Sequence, residues 1–527
     1  MKRRVALLQF VVFALTLSII LPSARAQSGA PKDLEAYIEN VRKTFEVPGL
    51  ALTIVKDGKV IVAKGYGVRK LGEATLVDAQ TLFGIASNTK AFTATALALL
   101  VEEGKIEWDA PVVNYLPWFQ LSDPYVTREL TVRDLLVHRS GLGLGAGDLL
   151  WWPPSTYDRK EIARRLRHLP LVTSFRSAYA YDNVLYTVAG EVIETISGQS
   201  WEDFVAMRIL AKVGMNGSNV RHAEAGKGAN VATPNAPIEG VVRVVAPFAS
   251  DNTNPAGGIN SNAEDMAKWM IVQLDSGRVA GGARLFSPRT TRELWAPVTP
   301  IIIGDPAPEL AALRPNFRGY ALGFDVRDYR GKKLVTHTGG LPGYVSKVVM
   351  VPEIKLGVAI LTNQESGAAF ESITYRILDH YLGAPFTDWT AAYKKLRDRF
   401  DAKMAEEEKK AATARDASSR PSLPLAKYAD TYTDAWYGDV TITLENGKLV
   451  IHFAHSPALV GDLEFWQYDT FIARWHDREL RADAYVTFAL NPDGSIAEVK
   501  MKAVSEATDF SFDFHDLLLK PAPQKMQ

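Results

Sequence analysis

Residues 81–104, TLFGIASNTKAFTATALALLVEEG, hold the pattern around which the rest of this sequence is organised. A short apolar run leads to Ser87, which stands where a helix should begin, and Lys90 follows three positions later. Serine is a preferred residue at helix starts, and side chains three positions apart share one helical face. A hydroxyl beside an amine at a helix N-terminus is typical of an activated nucleophile, because the amine accepts the proton and the helix dipole favours negative charge.

Ser87 is the only serine of the chain that is followed three residues later by lysine. A core helix that is capped by Ser87 and carries Lys90 on its surface would explain the Ser-x-x-Lys pattern equally well. The choice between this interpretation and a catalytic one depends on whether the chain also contains the other groups that a serine hydrolase needs. Such an enzyme needs a base and an oxyanion hole beside its nucleophile. The G-x-S-x-G motif of α/β-hydrolases is absent, which disfavours that fold.

Two later motifs offer the missing groups. Tyr181-Asp182-Asn183 stands where a loop meets an apolar helical run, and His337 begins a His-Thr-Gly-Gly sequence on a predicted strand. Each motif also has a purely structural interpretation. Tyr181 fits a core aromatic residue, Asn183 fits a helix cap, and His337 fits an ordinary strand histidine. Their order after the single Ser-x-x-Lys favours a catalytic set.

The strand and helix patterns indicate an α+β fold. Apolar alternation around an Asp57-Gly58 turn predicts a hairpin near the N-terminus, and β-branched runs over residues 334–363 predict strands late in the chain. Helical periodicity dominates between them. We therefore expect one antiparallel sheet, built from both ends of the region 27–390, flanked by helices and carrying a large helical insertion.

The composition changes after residue 390. Residues 391–424 are charged and alanine-rich, which predicts a solvated helix and linker between domains, and residues 425–520 alternate like strands around turns such as Asn446-Gly447. We expect a small all-β, barrel-like antiparallel domain there. If this domain is an independent module, a chain without residues 425–527 should keep a folded site at Ser87.

The N-terminus predicts export. Residues 1–26 combine a basic start, a long apolar run and an Ala-Arg-Ala ending, the pattern of a signal peptide cut after Ala26. The alternative is an uncleaved anchor, since the run is long for a signal peptide. No later stretch is long and apolar enough to span a membrane. We expect a periplasmic or secreted protein.

Composition excludes several classes of partner and chemistry. Sixty Lys and Arg residues balance sixty Asp and Glu residues in 527, which argues against nucleic acid as a partner. The absence of cysteine excludes disulfides and thiolate chemistry. The nine histidines are scattered, so we expect no metal site and no cofactor. The expected partner is a small-molecule or peptide substrate, and the oligomeric state stays open.

The three motifs resemble, in type and order, those of the serine β-lactamase and penicillin-binding-protein superfamily. With tyrosine in its second motif, the chain resembles one branch of this superfamily, which contains class C β-lactamases, D-aminopeptidases, DD-carboxypeptidases and related esterases. The local sequences FGIASNTKAFTA, LLVHRSGL, PAGGINSNAEDMAKW and HTGGLPGY also resemble that branch. The resemblance covers about residues 31–385, and the tail is similar to β-domains appended to some members.

This resemblance implies a role for each motif residue. Ser87 would form an acyl-enzyme, Lys90 would accept its proton, and Tyr181 would share that proton with the leaving group. The backbone N–H groups of Ser87 and of Gly340, the residue after His337-Thr338-Gly339, would form the oxyanion hole. The implied substrate-binding residues are Asn183, His337, Thr338, Gly339 and Gly340.

The chain departs from the family pattern at one residue that bears on which substrate is bound. Many β-lactamases and DD-peptidases carry lysine where this chain has His337, and histidine is mostly neutral at pH 7. D-aminopeptidases and esterases are among the relatives with histidine there. The resemblance thus implies an exported serine hydrolase for D-amino-acid peptides or short esters. The alternatives are a β-lactamase and, in another class, a non-catalytic penicillin-binding or cell-envelope sensor protein.

Overall fold

A computed structural model describes residues 29–224 and 227–523. The predicted signal peptide at 1–26 lies outside these residues. The described residues before position 390 form twelve strands: β1 Gly49–Lys56, β2 Lys59–Gly67, β3 Phe83–Gly84, β4 Asn235–Ile238, β5 Val241–Val244, β6 Asn260–Ser261, β7 Thr299–Pro300, β8 Arg318–Tyr320, β9 Asp325–Tyr329, β10 Lys332–Leu341, β11 Tyr344–Val351 and β12 Leu356–Thr362.

Eight of these strands form one sheet in the order β2-β1-β12-β11-β10-β9-β8-β7. Strand β1 pairs with the last strand, β12, so that Leu50 lies opposite Thr362 in an antiparallel ladder. Asp57 and Gly58 both have positive φ, 53° and 74°, as the predicted two-residue hairpin turn requires. The expected antiparallel sheet built from both ends of the region is confirmed.

Twelve helices accompany the strands: α1 Leu34–Thr44, α2 Lys90–Glu102, α3 Pro124–Glu129, α4 Arg159–Arg165, α5 Val184–Ser197, α6 Trp201–Val205, α7 Ala211–Val213, α8 Asn254–Gly257, α9 Ala263–Leu274, α10 Pro288–Leu294, α11 Gly367–Tyr381 and α12 Trp389–Ala414. Most lie in the insertion between β2 and β7. The charged segment predicted as a solvated helix and linker is largely helix α12, whose buried residues are confined to its first turn or two.

Helices cover both faces of the sheet, so β1 is buried along its whole length. Leu50, Leu52 and Ile54 belong to a core shared with α1, α11 and the start of α12, whereas Ala51 and Val55 belong to the core that contains α2 and α5. This division follows the two-residue period of a strand. It explains why β1 is apolar throughout rather than alternating.

The C-terminal domain is an eight-stranded antiparallel sheet that is nearly closed into a barrel. Its strands are β13 Asp430–Asp434, β14 Gly438–Glu445, β15 Lys448–Phe453, β16 Val460–Gln467, β17 Thr470–Trp475, β18 Ala484–Leu490, β19 Ile496–Ala503 and β20 Lys520–Pro521. They follow chain order from β19 back to β13, and β20 lies beside β13. Val499 and Leu519 exchange two backbone hydrogen bonds of 2.8 and 3.1 Å, which bring the two edges together.

The two domains are packed against each other through buried polar contacts. The Tyr157 hydroxyl donates to the carbonyl of Tyr437, and Arg165 Nη1 donates to the carbonyl of Trp436 at 3.0 Å. No helix within the described ranges, 29–224 and 227–523, is long and apolar enough to cross a membrane. Those same ranges contain no group of three or more His, Asp or Glu side chains placed to hold a metal ion.

Candidate active site

Ser87 lies in a 3₁₀ turn, Ala86–Thr89, that leads directly into α2. The sequence pattern placed Ser87 at the N-cap of that helix, but the structure shows no side-chain cap there, and the α-helix begins only at Lys90. Ala86, just before the nucleophile, has φ of 49°, a left-handed conformation that is costly for alanine. The chain is therefore bent sharply at Ser87, which leaves its side chain half-buried at a surface.

The third motif is pressed against this turn. A Cβ atom on Gly339 would lie 2.3 Å from the carbonyl oxygen of Ile85, so only glycine fits at that position. Ser346 on β11 donates to the same carbonyl at 2.7 Å and accepts from Asn88 at 2.8 Å. These contacts fix the distance between the nucleophile and strand β10.

Lys90 is fully buried and has three hydrogen-bond partners. Its Nζ lies 3.1 Å from Ser87 Oγ, 2.7 Å from Asn183 Oδ1 and 3.0 Å from the carbonyl oxygen of Ala256. Burial lowers the pKa of Lys90 to about 7, although nearby carboxylates oppose the shift. A large fraction of Lys90 is therefore neutral near pH 7 and able to take the Ser87 proton.

Asn183 precedes α5, yet it does not cap that helix with its side chain. Its amide instead accepts from Lys90 and donates to Asp148 Oδ2 at 2.8 Å. The structural interpretation of Asn183 as a helix cap is thus wrong. The side chain connects the lysine to a buried carboxyl group.

Tyr181 lies on the other side of Lys90, whose Nζ is 4.9 Å from the ring centroid. Burial raises the pKa of Tyr181 well above its usual value of 10, and the nearby Ser87 hydroxyl only partly opposes this. Tyr181 is therefore a neutral phenol at pH 7. It does not provide a standing phenolate base.

The residues of the third motif alternate in exposure along β10. Thr338 and Gly340 are exposed, whereas His337 and Gly339 are buried. His337 Nε2 lies 2.7 Å from the Tyr320 hydroxyl, and burial, helped by the nearby Lys90, lowers the pKa of His337 to about 3. His337 is therefore neutral and cannot act as a fixed cation for a substrate carboxylate.

Asp148, which the sequence analysis did not single out, links the site to the C-terminal domain. Besides the Asn183 bond, it accepts from Trp151 Nε1 at 2.8 Å and from Ser511 Oγ at 2.9 Å. Burial raises the pKa of Asp148 to about 7, against the effect of these donors and of Lys90. Ser511 thus reaches Lys90 through Asp148 and Asn183, all of which are buried.

Asp513 makes a second link between the domains. Its carboxyl oxygens accept from the backbone N–H groups of Gly147 at 2.7 Å and Leu149 at 3.0 Å, on either side of Asp148. These contacts argue against the expectation that the site is independent of residues 425–527. No local sequence signal marks these contacts, because they join residues more than 360 positions apart.

The groups surround a cleft of about 480 Å³. Ser87, Tyr181, Asn183 and the third motif line it, together with Trp151 and Trp152 of the first domain and Asp509, Phe510 and Ser511 of the second. The paired tryptophans are buried and also form a wall of the cleft. Its far end is charged, and there Arg327 donates to the Tyr375 hydroxyl at 2.9 Å.

A sequence profile of the Beta-lactamase family matches residues 34–382, which is more than half of the chain. The chain belongs to the beta-lactamase family. A second profile, a domain of unknown function called DUF3471, matches residues 414–521 of this beta-lactamase family member.

Relatives span both domains. The chain is 29% identical over 444 residues to an unguisins hydrolase of Aspergillus violaceofuscus, covering 79% of this chain and 77% of the relative. It superposes with TM-score 0.57 on the octameric penicillin-binding protein homologue from Pyrococcus abyssi, at 23% identity over 93% of this chain and 99% of that one. The D-amino acid amidase from Ochrobactrum anthropi gives TM-score 0.54 at 22% identity, covering 67% and 98%. This beta-lactamase family chain is a serine hydrolase.

Proposed function

We propose that this protein cleaves an ester or amide through an acyl-enzyme on Ser87, with D-amino-acid peptides or short esters as substrates. The observation that carries the proposal is the buried Lys90, whose amine lies 3.1 Å from Ser87 Oγ and whose pKa burial lowers to about 7. An ordinary surface lysine stays protonated at this pH and cannot act as a base. An amine with a pKa of about 7 meets the requirement that a general base has a pKa near the operating pH.

The reaction follows from these positions. Lys90 takes the Ser87 proton as Oγ bonds to the substrate carbonyl carbon, and the N–H groups of Ser87 and Gly340 stabilise the oxyanion. Collapse breaks the bond to the leaving group, which receives the proton from Lys90 through Tyr181. Water then attacks the acyl carbon and gives a proton to Tyr181 and Lys90. The bond between that carbon and Ser87 Oγ breaks, Oγ regains the proton, and the acid is released.

The nature of His337 supports peptides or esters over β-lactams. A neutral, buried imidazole provides no positive charge for a carboxylate beside the scissile bond. The names of the relatives, a hydrolase of unguisins and a D-amino acid amidase, favour the same substrates. A β-lactamase is the alternative, and slow release of a fluorescent penicillin from Ser87 distinguishes it from a peptidase.

The test is a substrate screen with wild type and Ser87→Ala, using nitrophenyl acetate, D-amino-acid amides and β-lactams. Removing a nucleophile of this kind lowers kcat by several orders of magnitude, on the order of 10⁶ in a well-studied serine protease. Ser495→Ala, in an exposed loop of the barrel, is the matched control and should behave like wild type. Turnover by neither protein would favour the non-catalytic alternative, and equal turnover by both would show that the chemistry does not depend on Ser87.

We further propose that the protein is exported and that residues 1–26 are removed. Support comes from the basic start, apolar run and Ala-Arg-Ala ending of that segment. Cell fractionation followed by N-terminal sequencing tests both points. A mature chain that begins at Gln27 is expected, and an intact Met1 on a membrane-bound protein would favour the anchor.

A further inference from the structure

A second cavity, of about 1040 Å³, lies between the two domains; we call it the interdomain cavity. It shares three lining residues with the catalytic cleft: Trp152, Gly340 and Asp509. Gly340 carries an N–H group of the proposed oxyanion hole, so the two cavities meet where the reacting carbonyl would be bound. The combined space is much larger than a short ester needs, since ordinary ligand sites measure roughly 300–1,000 Å³.

The lining of the interdomain cavity is apolar and acidic. Its apolar surface comes from both domains and includes Pro237, Pro247, Phe248, Leu341, Pro342 and Leu480. Five carboxylates line it, at Glu239, Glu365, Asp477, Glu479 and Asp509, against one guanidinium, Arg481. Arg481 is bound to Glu365 at 2.7 and 2.8 Å. Burial raises the pKa of Asp509, so the excess of negative charge comes from Glu239, Asp477 and Glu479. This excess disfavours an anionic occupant and favours apolar groups that are neutral or positively charged.

The positions of Tyr181 and Gly340 indicate which part of a substrate enters this cavity. Tyr181, which delivers the proton to the leaving group in the proposed reaction, has its ring centroid 6.2 Å from that of His337 and 6.0 Å from that of Phe510. Both Tyr181 and His337 line the catalytic cleft and neither lines the interdomain cavity, so the leaving group lies in the cleft, on the His337 side of Gly340. The acyl portion extends the other way, past Gly340 to Leu341 and into the interdomain cavity.

We propose that the interdomain cavity is the subsite for the acyl portion of the substrate and that this portion is an apolar peptide segment without acidic side chains. The inference rests on the proposed acyl-enzyme function and adds the class of substrate to it. A small ester needs only the catalytic cleft. A peptide of several residues also buries its side chains against prolines, Phe248 and Leu480 of the two domains.

Nitrophenyl esters test the proposal because they keep the leaving group constant while the acyl group varies. The probes are the acetate, a leucyl-leucyl-phenylalanyl ester, and the same tripeptide ester with aspartate or lysine in the first position. Each tripeptide is made with D- and L-phenylalanine, and the better epimer is used. The full-length protein should show kcat/KM about tenfold or more higher for the leucyl tripeptide than for acetate, because each buried apolar side chain contributes on that order. The aspartyl ester should be about tenfold poorer than the lysyl ester.

Ala458→Trp fills the interdomain cavity from the barrel and touches no residue of the catalytic set. It should lower kcat/KM for the tripeptide esters about tenfold and leave acetate turnover unchanged. Ala246→Trp fills the cavity from the first domain and replaces Ala458→Trp if that variant does not fold. Ala411→Trp, on exposed helix α12 and outside both cavities, is the matched control.

The results separate this inference from the proposed function. Loss of acetate turnover in Ser87→Ala establishes the nucleophile independently of the interdomain cavity. The inference is overturned if wild type shows no preference for the tripeptide over acetate, or if it accepts the aspartyl ester as well as the lysyl ester. It is also overturned if the filling variants affect both substrate sizes equally or neither of them.

Discussion

Replacing Asp148 by asparagine should move the acid limb of the kcat/KM profile to lower pH. The limb reports the deprotonation of Lys90, whose pKa is about 7 and is held up by the Asp148 charge. Hydrogen bonds of 2.7 and 2.8 Å through the Asn183 amide join the two groups. The charges are then roughly 7 Å apart, and at an effective dielectric constant of about 20 they interact by about 2 kcal/mol, or between one and two pK units.

The expected shift in the pKa of Lys90 is smaller than this value. Burial raises the pKa of Asp148 to about 7, so only a fraction of the Asp148 carboxyl groups is ionised at pH 7. We therefore expect the limb to move down by about one unit. The sign follows from the charge, since removing an anion makes protonated Lys90 less stable and lowers its pKa. An asparagine also places its NH₂ group against one of the three donors to Asp148, which should cost about 1–3 kcal/mol of stability.

The assay is the pH dependence of kcat/KM for nitrophenyl acetate between pH 5 and 9, corrected for spontaneous hydrolysis, with the free energy of unfolding measured by urea. A stability loss alone would lower the fraction of active enzyme without moving the limb. An unchanged limb, or a shift to higher pH, would refute the argument that Asp148 acts on Lys90 through its charge.

Three further predictions concern the same network. Ser511→Ala removes one donor to Asp148 and should lower kcat/KM about tenfold while Ser495→Ala does not, as steady-state kinetics will show. Gly339→Ala places a Cβ 2.3 Å from a backbone oxygen and should reduce Tm and activity together, whereas Gly340→Ala adds a Cβ in open space and should keep the wild-type Tm. A chain ending at residue 424 should lack measurable esterase activity, and full activity in that chain would contradict the role given to Ser511.

The residues around Ser87 were predictable from the sequence because each of them belongs to a short motif. Ser-x-x-Lys, Tyr-x-Asn and His-Thr-Gly-Gly each specify residue types at close spacing, and the structure brings Ser87, Lys90 and Asn183 into hydrogen-bond contact. The sheet was predictable for a related reason, since apolar β-branched runs and an Asp-Gly turn are local signals. The joining of strands from both ends of the region follows from where those signals lie.

The contacts that set the environment of Lys90 were not predictable in this way. Asp148 ends the glycine-rich tract GLGLGAGD at residues 141–148, and nothing near it in sequence indicates that it is buried. Its partner Ser511 lies 363 positions away in the other domain. The left-handed conformation of Ala86 is likewise imposed by packing, since alanine by itself favours the ordinary helix. Such features depend on tertiary contacts rather than on local propensity.

The pairing of β1 with β12 has a consequence for the synthesis of the protein. Leu50 pairs with Tyr66 on one side early in the chain, but its partner on the other side, Thr362, comes much later, and Asp513, which binds the backbone around Asp148, comes later still. Contacts between such distant residues form slowly and only after the later residues are available. A growing chain has its nucleophile and lysine long before it has the strand and the carboxylate that hold them. Hydrolytic activity should therefore appear only when translation is nearly complete, so that the unfinished enzyme is inactive while it is still attached to the ribosome.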